Sequence, residues 1–107
     1  MSLDIDIVQT MPASVYSANV THNLAGMARE AGLYQCLWHP EDVGVTHARQ
    51  LIEPLRAAIV AMLADPERFR RYNPANGWGD YEGFLAFCRR LADACEEFPD
   101  AEVEASG

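Results

Sequence analysis

Leu3-Asp4-Ile5-Asp6-Ile7 alternates apolar and acidic side chains, and Ala101-Glu102-Val103-Glu104-Ala105 alternates again at the far end of the chain. A period of two places every apolar residue of such a run on one face, the pattern of a half-buried strand. Val8 breaks the first alternation, and Pro12, which lacks a backbone N–H, stops regular pairing. Two strands are marginal by themselves. The terminal segments must pair with each other and lie against helices, or meet a second copy of the chain in a homo-oligomer.

Between the ends the apolar period lengthens to that of a helix. Leu24, Met27, Ala28 and Ala31 fall at i, i+3, i+4 and i+7, with Asn19 or Thr21 placed to cap and Gly32 placed to terminate. Leu33 to Trp38 adds a further turn before Pro40. Thr46 is the expected cap of the next helix, whose stripe is Leu51, Ile52, Leu55, Ile59, Met62 and Leu63, and Pro54 is expected to kink or split it. Asp65-Pro66-Glu67 opens a short helix through Tyr72. Asp80 caps the last helix, with Phe84, Phe87, Cys88, Leu91, Cys95 and Phe98 facing inward and Arg89, Arg90, Asp93, Glu96 and Glu97 facing water. Val15-Tyr16-Ser17-Ala18 reads as a short extended piece. The expected fold is α+β: a mainly helical single domain over residues 1–107, with four to five helices and a short two-stranded sheet made by the two termini.

Composition excludes several functions. The 107 residues carry 8 basic groups, all arginine, against 16 acids, a net charge of −8. That balance disfavours direct nucleic-acid binding, which needs clustered cations. No apolar run approaches the roughly 20 residues of a membrane span, and the N-terminus lacks the basic start of a signal peptide. Three cysteines without a CxxC pair indicate neither a disulfide framework nor a zinc ribbon. The expected setting is cytoplasmic, without membrane or cofactor.

Two stretches concentrate groups that donate, accept and stack: Tyr16 to Asn23, and Asn73 to Glu82. Both lead into helices, where free N–H groups favour polar ligands. In the second, Gly77 and Gly79 allow close backbone approach, while Trp78 and Tyr81 supply flat apolar surface. The bland alternative makes Asn19 and Asp80 caps, Asn76-Gly77 a turn and Trp78 a seal over the core. Arg68, Arg70 and Arg71 form the basic cluster, suited either to a helix C-terminus or to a phosphate beside the glycine-bearing loop.

Stronger chemistry finds less support. His22, His39 and His47 lack the spacing of a helical metal pair, leaving His22, His39 and Glu82 as a conceivable ligand set. Cys36 precedes His39 by three residues, the one thiol–imidazole spacing available, and no oxyanion-hole signature accompanies it. Cys88 and Cys95 look like small core residues. If the terminal strands pair, Asp4, Asp6, Glu102 and Glu104 share one surface, which is either solvated, partner-facing or turned to a cation. Beyond Arg90 there is no further base, and Asp93, Glu96, Glu97, Asp100, Glu102 and Glu104 concentrate a negative field suited to imitating a nucleic-acid backbone.

The strings YSANVTHNLAGMAREAGLY, LWHPEDVGVTHARQLIEPL and NPANGWGDYEGFLAFCRRLADACEEFPDAEVE resemble an uncharacterised family of small bacterial and phage proteins, whose pattern is similar to YSANxTHNLxxMA and NPxNGWGxYE. The resemblance implies a compact single domain, often phage-encoded, and carries no catalytic residue with it. It marks His22, Asn23, Asn76, Gly77, Trp78, Gly79, Tyr81 and Glu82 as matching positions.

The function expected from the residues is a non-enzymatic accessory protein that binds a small polar or nucleotide-like ligand between the THN helix start and the NGWG loop. His22 and Asn23 would hydrogen-bond the ligand, Asn76 and Gly77 shape the loop, Trp78 and Tyr81 form its wall, and Glu82 accept a hydrogen bond. The alternatives are a module that docks on a host protein through its acidic face, and a small hydrolase or transferase.

Overall fold

The alternation of residues 3–7 is realised as the central strand of a sheet. In the computed structural model, which describes residues 2–8 and 14–106, strand β1 (Ser2–Val8) pairs antiparallel with β2 (Ser14–Thr21) on one edge and with β3 (Glu102–Ser106) on the other. The two ends of the chain meet as their pattern demands, but the sheet has three strands in the order β2-β1-β3, not two. Val15 to Ala18 reads as a fragment because its continuation carries residues typical of a helix start. In the structure Asn19-Val20-Thr21 completes the strand, and Thr21 caps from the strand's last position by accepting from the Asn23 N–H at 3.3 Å. The break expected at Pro12 lies outside the described residues.

Among the described residues the helices are α1 (Ala25–Glu30), α2 (Tyr34–Trp38), α3 (Arg49–Ala64), α4 (Pro66–Arg70) and α5 (Tyr81–Glu97), with 3-10 turns at His22–Leu24 and Pro40–Val43. None is long and apolar enough to cross a membrane. Gly32 follows α1 with φ of 78°, the left-handed conformation that ends a helix most cheaply in glycine.

The start of α3 departs from expectation. Thr46 does not cap it. Instead the side-chain oxygen of Gln50 reaches back to accept from the N–H groups of Thr46 (2.7 Å) and His47 (2.9 Å). The N–H groups of Ala48 and Arg49 donate to the carbonyls of Ala101 (2.8 Å) and Pro99 (3.0 Å), so the segment leading into β3 satisfies donors that a helix start leaves open. Nor does Pro54 split the helix. It stands in the second turn, where its missing N–H forfeits one bond, to the Gln50 carbonyl.

One apolar cluster joins sheet and helices. Leu3, Ile5 and Ile7 on the inner face of β1 are 2%, 0% and 0% exposed. Against them lies α5, with Phe84, Phe87, Cys88, Leu91 and Cys95 buried and Arg89, Arg90, Asp93, Glu96 and Glu97 in water, the division its stripe predicts. Arg56 of α3 binds Asp93 (2.9 Å) and Glu96 across the α3–α5 seam. The outer face of the sheet is polar. Its acids are less crowded than direct strand pairing suggests, because Asp4 lies between Asn19 and Ser106, Glu102 is opposite Val8, and only Asp6 faces an acid, Glu104.

Leu91 is fully buried and Arg90 beside it is exposed. Leu91→Ala should lower unfolding free energy by about 2–5 kcal/mol, and Arg90→Ala by no more than about 0.5 kcal/mol. Urea denaturation of the two variants checks this; equal effects would mean that the helix presents a different face to the core.

Candidate functional site

The register of β1 with β2 decides what surrounds the THN segment. Ser2 pairs with Thr21 and Asp4 with Asn19, so Ser2, Asn19 and Thr21 share the outer face at one end of the sheet. The Asn19 amide NH2 donates to Ser2 Oγ and Asp4 Oδ1, both at 2.7 Å. Asn23, in the turn that follows, donates from its side chain to Thr21 Oγ1 at 3.0 Å.

The irregular stretch 71–80 comes alongside this corner. Asn76 Oδ1 accepts from the Trp78 N–H at 2.9 Å, an Asx turn that sets the bend. Gly79 then makes the close approach. A Cβ there would lie 2.9 Å from both Leu24 Cδ1 and Thr21 Cγ2, and φ is 98°, a region that side-chain-bearing residues rarely adopt. The loop therefore packs against the end of β2 only because position 79 has no side chain. Between the two segments lies a recess of about 440 Å³ lined by Ser2, Asn19, Thr21, Asn23, Asn76 and Trp78.

Asn23, Asn76 and Trp78 are thus brought together where the sequence places a site. Trp78 is 69% exposed, so it does not seal the core. Gly77 shapes the same loop, with a left-handed φ of 77°.

The other expected site residues go elsewhere. His22 lines a separate recess of about 380 Å³, which it shares with Tyr34, Trp38 and His39. There its Nδ1 accepts from the Trp38 indole N–H at 2.8 Å, Tyr34 stacks on Trp38 with ring centroids 5.5 Å apart, and Tyr34 Oη is 3.3 Å from His39 Nε2. Tyr81 is 3% exposed. Its hydroxyl donates to the Met62 carbonyl at 2.6 Å. That carbonyl would look four residues ahead for a helical partner, but position 66 is proline and has no N–H to give. Tyr81 is a core residue that completes the end of α3, not a wall of the recess. Glu82 pairs with Arg70 at 3.2 Å on the helical surface.

Two arginines of the basic cluster are committed too. Arg70 binds Glu67 (2.7 Å) as well as Glu82 and lies 4.8 Å over the Tyr81 ring. Arg68 binds Glu30 at 2.6 Å, and together with the Tyr72 hydroxyl it holds that carboxyl below its ordinary range. Among the described residues no three metal-ligating side chains converge, and the set His22, His39 and Glu82 is divided by Glu82's attachment to Arg70. The pair Cys36–His39 does not form either. The Cys36 thiol donates to the Leu33 carbonyl at 3.4 Å, and burial pushes its pKa up to about 11. Burial likewise raises Cys88 and Cys95 to about 12, so none of the three thiols is primed as a nucleophile.

Of the other recess residues, Asn19 and Thr21 belong to the polar stretch Tyr16 to Asn23 but read individually as caps, and Ser2 lies just outside the alternating run. Their signal is parity: counted from Asp4 opposite Asn19, they stand on the face away from the buried Leu3, Ile5 and Ile7. The ring group of Tyr34 and Trp38 left no signal beyond composition. Comparison of the chain with protein-family models, with curated proteins and with solved structures returns no match.

Removing the Tyr81 hydroxyl should strand the Met62 carbonyl. Tyr81→Phe is expected to cost about 1–3 kcal/mol by thermal or chemical denaturation, with the environment of Trp78 unchanged. A variant as stable as the parent would show that the carbonyl finds another donor.

Proposed function

We propose that the protein is a non-enzymatic binding protein that takes a small polar ligand in the recess between the end of β2 and the loop of residues 73–79. One observation carries the reading: three amides and two hydroxyls surround a concavity beside an indole held out in water. Small-molecule sites combine an apolar surface with a few polar groups that fix orientation, and this recess has both. Amides and hydroxyls hold a ligand without making or breaking its bonds, and the strongest nucleophiles of the chain are buried thiols with raised pKa values. The floor stands on a strand and the wall is tied by Gly79 and Asn76, so the site is largely pre-formed and loses little entropy on binding.

A second reading draws on the outer face of the sheet. Asp6 and Glu104 stand directly opposite each other on β1 and β3, with Glu102 and Asp4 on the same surface. Four carboxylates on one face give it a negative potential that favours a partner surface rich in basic groups.

Native mass spectrometry of the chain purified from cells tests the first reading. The parent should carry a small-molecule adduct that Trp78→Ala loses, while the variant keeps the parent's stability to within about 0.5 kcal/mol, as an exposed side chain should. An adduct retained unchanged by Trp78→Ala would contradict the assignment of the recess. So would a bare parent whose indole fluorescence no small-molecule fraction alters.

A further inference from the structure

We infer that the ligand of this recess is a neutral, polyhydroxylated molecule, a saccharide with one ring face on the Trp78 indole and its hydroxyls shared among Asn19, Asn23 and Asn76. This rests on the reading of the recess as a binding site. Charge is the first consideration. All six lining side chains are uncharged, and the nearest ionised group in its hydrogen-bond network is Asp4, which holds the Asn19 amide. A phosphate or carboxylate would meet that negative group, and two arginines of the basic cluster, Arg68 and Arg70, are held by Glu30, Glu67 and Glu82. A nucleotide is the ligand class that this arrangement serves least well.

Hydrogen-bond inventory narrows the class further. The Asn19 NH2 is spent on Ser2 and Asp4, which leaves its carbonyl oxygen as an acceptor toward the recess. Asn23 gives one N–H of its amide to Thr21 and keeps its carbonyl oxygen as an acceptor beside the second N–H. Asn76 is the reverse: its oxygen is used by the Trp78 N–H, so its NH2 is the group left to donate. Ser2 and Thr21 each receive a hydrogen bond on oxygen and retain a hydroxyl proton to give. The rim therefore alternates acceptors with donors. A cationic amine only donates and would leave Asn76, Ser2 and Thr21 unmatched, whereas an alcohol group both donates and accepts.

The indole supplies the remaining contact. A flat, electron-rich face in water attracts weakly positive C–H groups, and a sugar ring presents such groups on one side while its hydroxyls point outward along the rim. The recess is open, which suits one residue of a longer chain as well as a free sugar.

Titration of the ¹⁵N-labelled full chain tests the assignment. The two tryptophans give two indole N–H cross-peaks, and Trp78→Phe identifies which belongs to Trp78. The probes are maltotriose, cellotriose and chitotriose, with AMP and spermidine as charged comparisons. At least one trisaccharide should move the Trp78 cross-peak saturably while that of Trp38 stays in place. Asn76→Asp keeps the oxygen that holds the Trp78 N–H but removes the NH2, and should weaken this binding about tenfold at an unchanged melting temperature. Saturable movement by AMP or spermidine and by none of the sugars would overturn the saccharide class and leave the recess as a binding site. No movement with any of the five would overturn both. A sugar response that Asn76→Asp leaves unaltered would overturn the hydrogen-bonding scheme.

Discussion

The burial of Leu3, Ile5 and Ile7 beneath a strand paired on both edges is the constraint on which the rest of the molecule depends. Each large aliphatic side chain taken from water contributes roughly 1.5–3 kcal/mol, and three on one seven-residue strand make β1 the element around which the chain closes. Its pairing with β3 draws the C-terminal segment across the start of α3, where the carbonyls of Pro99 and Ala101 satisfy the Arg49 and Ala48 N–H groups. Its pairing with β2 carries the chain to Thr21 and sets the direction in which α1 departs. The outward positions at the same end of the sheet, Ser2, Asn19 and Thr21, line the recess.

The recess follows from two local decisions taken on that frame. Strand parity sends Asn19 and Thr21 outward while Val20 between them is buried. Gly79 then permits an approach to Thr21 and Leu24 that any larger residue would block. Trp78, one residue earlier, is left over the corner with most of its surface in water. That exposure is what the proposed ligand would cover.

Much of the fold was legible because it rests on periodicity. The α5 stripe, the Asp80 cap, the Gly32 terminus and the meeting of the two chain ends all follow from spacing. The third strand was obscured because Asn19 and Thr21 have the same short polar side chains in a cap as on a strand's open face. Only Thr21 acts as a cap, and it does so from within β2. The start of α3 was misplaced for a similar reason: Thr46 is the better capping residue by type, but Gln50 and the carbonyls of residues 99 and 101 were already in position. Of the expected site residues, Asn23, Asn76 and Trp78 line the recess and Gly77 belongs to its loop, since loop chemistry and exposure can be read locally. His22, Tyr81 and Glu82 do not. Whether a polar aromatic faces a recess or the core depends on distant groups, such as a carbonyl orphaned by Pro66 or the indole of Trp38, that no local pattern reveals.

Amide hydrogen exchange along β1 tests the placement of this strand most directly. A strand paired on one side only protects alternate amides, because every second N–H points to solvent. A central strand protects them consecutively. The account predicts slow exchange at Ile5, Asp6 and Ile7 alike, at rates approaching those of the α5 core around Leu91. Fast exchange at every second position from Asp4 to Val8 would contradict it, and with it the frame that brings Asn19, Thr21 and the Trp78 loop to one corner.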